Sequence, residues 1–450
     1  MGDRIDAAGY LIGIGRWSDR TVTALKPLTA HPPDSDRRRG QHARISDIVR
    51  NDVMPELNRR KFLLASAGAG VGVLAGATAL SWPELMRAAD QRPLAIGSGI
   101  AVIVTLYGGN DGINTVIPHG DNAYHDARPE LAYAPHEVLD IDGKLGLNPA
   151  LTGLSAQWRD GHLAIVRGVG YPNPDHSHFR SMDIWQTASP AEPVNTGWVG
   201  RWLDATGDDP LRAVNIGAVL PPMAVGAKTT AAALSTTRTR STTAQFGPLV
   251  HALGTPDAKD TPAMAAVCAS YRAAQTADTA FHGVTAPAQK QTNSLAGQLE
   301  VISEAITSGA PTRLYMASLG GFDTHANERG TQQRLLQTFD AAVTPFLQKM
   351  AGDERGKGVV CVAYSEFGRR VHANASQGTD HGTAGPVFVA GVPVRGGFYG
   401  DEPSLTDLDN GDLKSTTDFR DVYYDVLAHT LGADPAPSVG PGRRGIGMLA

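Results

Sequence analysis

Cysteine is almost missing from this chain. Two residues in 450, Cys268 and Cys361, exclude a disulfide framework and a cysteine-based zinc site. Cys361 lies inside the apolar run VVCVAY and reads as a small buried hydrophobe. An excess of positive charge is missing too. Lys and Arg number 40 against 45 Asp and Glu, a net charge of -5, which gives no electrostatic footprint for nucleic acid. No GxSxG or Walker A pattern is present, which argues against a serine esterase and a nucleotide site. Fixed-period repeats are absent as well. The 51 glycines and 29 prolines are scattered, as in a loop-rich enzyme and not a solenoid or collagen.

What is present begins with a leader. "NRRKFLLASAGAGVGVLAGATAL" sets Arg59-Arg60 before a run of Ala, Gly, Leu and Val, the arrangement of a twin-arginine export signal. The run from Leu63 to Leu80 is barely long enough to span a bilayer and is weakly apolar, so no stable transmembrane anchor is expected in the mature protein. The expected signal covers residues 54–89, with cleavage after Ala88 or Ala89 and the export machinery as partner. Periplasm, cell surface or extracellular space would be the destination. Residues 1–53, rich in Arg, Asp and Pro, read as a disordered extension or a start codon placed upstream of Met54.

Downstream, near-continuous apolar runs recur at "IAVIVTLY", "HLAIVRGVG" (162–170), "AVNIGAVLP" (213–221), "TRLYMASLGG" (312–321), "GVVCVAYSEFG" (358–368) and "PVFVAGVP" (386–393). Strands without polar alternation are buried on both faces. Helical periodicity lies between several of them, as in "TQQRLLQTFDAAVTPFLQKMAG" and "DFRDVYYDVLAHTLGA". The alternation predicts an α/β domain over 97–440, a central mostly parallel sheet with helices on both faces. A Thr- and Ala-rich stretch opens an insertion or cap over about 224–310.

Ligands of open α/β sheets bind beyond the carboxyl ends of the strands. Polar residues gather at those ends: Asp111 in "GGNDG", Asp323 and His325 in "FDTH", Glu366 in "SEFGR", and Asp380-His381 before the last apolar run. The loop "YPNPDHSHFRSMDIW" adds His176, Ser177 and His178. Each alone is an ordinary loop residue. Together the acids and imidazoles form a hard-metal or zinc-type donor set, and such a cluster repels itself without a cation.

"LYGGNDGINTVIP", "SHFRSMDIWQTASP", "GWVGRWLD", "GGFDTHANE", "SEFGRRVHANASQGTDHGTAGPVFVAG" and "TTDFRDVYYDVLAHTLG" together resemble the domain-of-unknown-function family 1501, over roughly residues 97–435. That family in turn resembles the alkaline phosphatase and sulfatase superfamily. The resemblance implies an alkaline phosphatase-like fold and one or two divalent metals, with zinc, calcium, magnesium and manganese not distinguished. Asp111, Asp323, His325, Glu366 and His381 would be the ligands. It also implies Ser177 as nucleophile and His176 or His178 as proton carriers, His178 foremost. Asp380 would orient His381, and Arg369 or Arg180 would clamp an anion. The family pattern is not fully met: Phe367 stands where a histidine is expected, and Asp323 and His325 are two apart, not four. The expected activity is hydrolysis of phosphate or sulfate esters, on a small anionic ester or a sulfated or phosphorylated glycan. The rival is a secreted binding or assembly protein that keeps the fold without turnover.

Overall fold

A computed structural model describes residues 78–217, 219–234 and 294–449 of the chain. The expectations for residues 1–53, for Arg59-Arg60 and for Cys268 lie outside the described residues. The described chain opens with a short strand, β1 (Thr78–Leu80), and a helix, α1 (Trp82–Gln91). The run IAVIVTLY then becomes β2 (Ile100–Tyr107), seven of whose eight residues are buried. Further strands are β3 (Leu163–Gly170), β4 (Ala213–Ile216), β5 (Ala232–Leu234), β6 (Leu314–Gly320) and β7 (Val359–Tyr364). A small hairpin follows, β8 (Arg369–Ala373) and β9 (Thr379–His381), and then β10 (Gly385–Ala390), β11 (Gly397–Tyr399) and β12 (Thr417–Asp418).

One large sheet runs in the order β1-β5-β4-β6-β2-β7-β10-β3-β11, with β12 also paired to β3. Every pairing in it is parallel except those of β10, which is antiparallel to both β7 and β3. In the centre, Val102 lies opposite Tyr315 on one side and Cys361 on the other. The absence of polar alternation in β2 has its reason here. Ile100, Val102, Val104 and Leu106 face one apolar layer, and Ala101 and Ile103 face a second.

Helices supply both layers. The first face is covered by α1, α2 (Thr152–Arg159), α5 (Leu295–Thr307) and α6 (Glu328–Ala351). On α6, Leu336, Phe339, Val343, Phe346 and Leu347 form the buried stripe that its helical period requires. The second face carries α3 (His178–Thr187), α4 (Trp198–Thr206) and α7 (Phe419–Asp425). A π-helical turn, Val426–Thr430, continues α7, and Gly432 at φ +63° ends the run in the left-handed conformation that glycine adopts freely. Each fully buried Leu, Ile or Phe of these layers contributes roughly 1.5–3 kcal/mol.

The ends of the cap differ from the sequence expectation. The ends of the expected cap belong to the body: β5 pairs with β4 and β1 in the main sheet, and α5 buries Leu295, Leu299 and Ile302 in the first layer. Of the 224–310 segment, residues 235–293 lie outside the described residues. The polar stretch around 369–381 forms the β8–β9 hairpin, which sets Arg369 opposite His381. Ala88 and Ala89, the expected cleavage positions, sit within α1 and are buried with Leu85.

Candidate metal centre

Because β10 is antiparallel to both its neighbours, β3 runs in the same direction as β7, β2 and β6, and the carboxyl ends of all four lie on one edge. The chain reaches this edge in four places. After β6, Phe322 is buried and its amide donates to the Tyr107 carbonyl (3.1 Å), so the next residues, Asp323 and His325, are held beside the end of β2. The approach is close. A side chain on Gly108, which has φ +118°, would come within 2.5 Å of the Asp323 nitrogen. Glu366 follows β7, His381 ends β9, and His178 begins α3 just beyond the loop that leaves β3.

Three imidazole Nε2 atoms converge on one carboxylate oxygen. Asp323 Oδ1 lies 2.9 Å from His325 Nε2, 3.1 Å from His381 Nε2 and 3.5 Å from His178 Nε2. His325 and His381 bring their Nε2 atoms within 3.0 Å of each other. Donor atoms of His178, Asp323 and His381 all lie within 4.8 Å of one another, a spacing that a single ion can bridge.

Their opposite nitrogens are directed outward to acceptors. His178 Nδ1 meets Glu366 Oε1 at 2.8 Å, and His381 Nδ1 meets the His176 carbonyl at 2.7 Å. His325 Nδ1 points toward Asp380 at 3.7 Å, an ion-pair distance and not a hydrogen bond. With protons on Nδ1, the inward nitrogens present lone pairs to each other and to a carboxylate. His178 Nε2 is buried and has no hydrogen-bond partner. Three lone pairs and a carboxylate facing inward fit a cation, and the imidazole–carboxylate donor set fits a zinc-type ion.

The charge balance agrees. Burial pushes the Asp323 carboxyl up, but the Arg369 guanidinium and His381 outweigh it and hold it down at about 2. The hydrogen bond to Glu366 raises the His178 pKa, whereas burial lowers that of His381. Phe367 packs against both the His178 and His381 rings, with centroids 4.9 and 4.8 Å away, while those two rings lie 4.3 Å from each other.

The sequence-predicted residues therefore separate into those at the centre and those around it. His325, His381 and Asp323 lie at the centre. His178, expected as a proton carrier, joins them as a donor. Glu366, expected as a ligand, is buried one layer out. Its Oε1 accepts from the Gly108 amide (2.9 Å) and His178, and its Oε2 lies 3.0 Å from Ser365 Oγ. Asp380 stands by His325, not His381.

Asp111 is displaced further. It is fully buried and paired with Arg128 at 2.5 Å, whose remaining donors reach the carbonyls of Val371 and Arg370. Burial raises its pKa, but Arg128 and a hydrogen bond with Glu328 more than reverse that. Glu328 is the carboxyl that yields: burial and the Asp111 charge push it up to about 9, so it keeps its proton. The sequence reading missed this pair, because a first-turn Glu on an amphipathic helix carries no mark of burial.

Neither expected anion clamp is free. Arg369 is buried, and it donates to the carbonyls of Gly109 (2.7 Å), Thr379 (3.0 Å), Gly108 (2.5 Å) and Phe322 (2.9 Å) as well as to Asp323 (2.9 Å). It braces the loops that carry the centre. Arg180 pairs with Asp183 at 2.6 Å. Ser177 is exposed at the start of α3, next to His178, and its side chain makes no cap bond. His176 serves through its backbone carbonyl, while its ring meets Asp412 at 2.8 Å.

Comparison with known proteins gives no curated match. Three solved structures are similar in chain course at low identity. One is a protein in the alkaline phosphatase superfamily from Vibrio parahaemolyticus, 9% identical, with 69% of this chain and 64% of that chain covered and a TM-score of 0.33. Another is a 2-O GAG sulfatase, 11% identical, covering 67% and 65% at a TM-score of 0.31. The third is the lipoteichoic acid synthase LtaP from Listeria monocytogenes, 12% identical, covering 80% and 79% at a TM-score of 0.30. The chain thus spans a little under two thirds of the length of the first two. The family model described as "Protein of unknown function (DUF1501)" matches residues 306–441, the stretch holding Asp323, His325, Glu366 and His381.

Proposed function

We propose that the protein is a metal-dependent hydrolase built on a single divalent site of His178, Asp323, His325 and His381. One observation carries the reading: the three Nε2 atoms surround Asp323 Oδ1 while Nδ1 of His178 and of His381 is tied to a fixed acceptor. A divalent ion held there supplies Lewis acidity, which lowers the pKa of water and neutralises charge on an ester oxygen. The chain's own residues do the rest. Glu366 and the His176 carbonyl fix the tautomers of His178 and His381, as outer partners of ligating imidazoles do. Arg369 keeps Asp323 ionised at working pH. Asp323 and His325 remain about half exposed, which leaves a side open to substrate.

Phosphate and sulfate esters are the substrates to try first, on the resemblance of the sequence blocks. The Arg59-Arg60 leader supports export by the twin-arginine route, which carries folded proteins and so suits a chain that takes up its metal before leaving the cytoplasm. A non-catalytic binding role is the second reading. It is favoured by Arg369, whose guanidinium nitrogens are all engaged within the fold.

Metal analysis of the full chain, with an ester panel run beside it, tests both. The expected result is one divalent ion per chain in the wild type, none in His381→Ala or Asp323→Asn, and ester turnover that disappears with the metal. A wild-type chain purified without bound metal, and unable to take up zinc, would sink the proposal. Bound metal without turnover of any ester would leave the binding role.

A further inference from the structure

A cleft of about 350 Å³ opens beside the proposed centre, between the loop that follows β3 and the segment 409–415. It shares two residues with the surroundings of the centre. Phe367, whose ring packs on His178 and His381, forms part of its wall, and so does His176, whose carbonyl holds His381. At its back lies Asp412, with a side chain only 7% exposed. One oxygen of Asp412 meets His176 Nε2 at 2.8 Å. The other, Oδ1, is buried without a hydrogen-bond partner and lies 3.5 Å from Arg370 Nε, near enough for charge attraction only.

Arg370 differs from its neighbour Arg369. Its side chain is 41% exposed, and Asp412 is its sole ion-pair partner among the described residues. The two terminal nitrogens of its guanidinium make no hydrogen bond there. A planar fork with free donors, braced from behind by a buried carboxylate, is the geometry that takes an oxyanion in two parallel bonds. The rest of the wall carries Asp175, Asp409, Asn173 and Asn410, acceptor-rich groups that suit hydroxyls, and Lys414, whose ammonium is paired with Asp407.

We infer that this cleft is the substrate-recognition site of the proposed hydrolase, with Arg370, positioned by Asp412, binding the single oxyanion of a small, hydroxyl-rich molecule of sugar type. The inference rests on the hydrolase reading for its consequence but not for its geometry. Arg370 is a binding residue here. Asp412 is a positioning residue that acts through Arg370 and His176.

The test uses the full chain loaded with zinc, and calorimetric titration with inorganic phosphate, glucose 6-phosphate and phenyl phosphate. Arg370→Gln is expected to weaken phosphate binding by roughly tenfold or more, the worth of a charge-assisted pair. Arg370→Lys recovers part of that loss, because the charge returns without the fork. Zinc content stays at the wild-type value in both variants, and glucose 6-phosphate binds more tightly than phenyl phosphate. Equal phosphate affinity in wild type and Arg370→Gln overturns the proposal, even if zinc and ester turnover are intact. Preference for phenyl phosphate overturns the hydroxyl-rich substrate class. If the wild type takes up no zinc, the hydrolase reading fails separately. The Arg370 comparison, run on that metal-free chain, still decides whether the cleft binds an oxyanion.

Discussion

At the scale of single residues, distance from the centre sets the expected cost of a change. His178→Ala removes a donor nitrogen and is expected to abolish tight zinc binding. Glu366→Gln keeps an acceptor for His178 Nδ1 but removes its charge, so affinity should fall about 10–100-fold, as for partners one layer out. Equal losses in the two variants, measured by competition with a chelator, would mean that Glu366 is itself a ligand. Asp111→Asn should leave metal affinity alone and instead lower stability by about 3–5 kcal/mol, because Arg128 would be left buried without its counter-charge. Urea unfolding beside zinc titration separates the two effects. Glu328 offers a pH test. Its folded pKa, about 9, is above that of an exposed glutamate, so the shared proton stabilises the fold fully below pH ~4.5 and this stabilisation is lost as pH rises through about 9. The groups facing it are Asp111, Arg128 and Thr379. Glu328→Gln retains an N–H donor toward Asp111 and has no proton to lose. Its urea midpoint should therefore fall less between pH 7 and pH 10 than that of the wild type. Parallel decline in both would remove the shared proton from the account.

At the scale of elements, the β8–β9 hairpin decides where His325 sits. Its turn grips the loop after β6 through several bonds: Asn374 Nδ2 donates to the His325 carbonyl (3.1 Å), and the Asn327 and Glu328 amides donate to the carbonyls of Ser376 and Gln377 (3.1 and 2.8 Å). Gly378 makes that contact possible, since a Cβ there would lie 2.3 Å from the His325 carbonyl carbon and oxygen. Backbone atoms cannot step aside as a flexible side chain does. Gly378→Ala is therefore expected to push His325 off the centre and weaken zinc binding while the chain stays folded, as read by zinc titration and circular dichroism. Unchanged zinc affinity would show that the hairpin does not position His325. This element also marks the limit of the sequence. The apolar runs of β2, β6 and β7 announced themselves because burial on both faces leaves no room for polar residues. "RRVHANASQGTDH" has no such run. Its strands are short and lie off the main sheet, and they are fixed by Arg369 reaching into a nest of carbonyls. For the same reason the direction of charge was legible and the depth was not. Asp323 and Glu366 look alike in sequence, one half exposed at the centre and the other sealed behind it.

At the scale of the whole molecule, a parallel sheet brings residues distant in sequence to one edge, which is why strand-end acids and histidines were worth reading together. The rule locates an edge but does not rank the residues there. Asp111 follows the central strand and yet turns inward to Arg128. The other end of the sheet poses a different question. β1 pairs in parallel with β5 at the sheet margin, and α1 buries Leu85 completely together with Ala89 in the first apolar layer. Cleavage of an export leader after Ala88 or Ala89 would remove nearly all of this. Loss of the Leu85 side chain alone is worth about 2–5 kcal/mol when a core site cannot collapse. If a leader is removed, a cut upstream of β1, where small residues also abound in the sequence, would keep these contacts. A chain beginning at Thr78 should accordingly unfold at a higher urea concentration than one beginning at Asp90, with Leu85→Ala in the longer chain falling between them. If the chain is exported, mass determination of the mature form's first residue gives the independent check. A mature chain starting at Ala89 or Asp90, as stable as the longer one, would show that β1 and α1 belong to the leader and not to the fold.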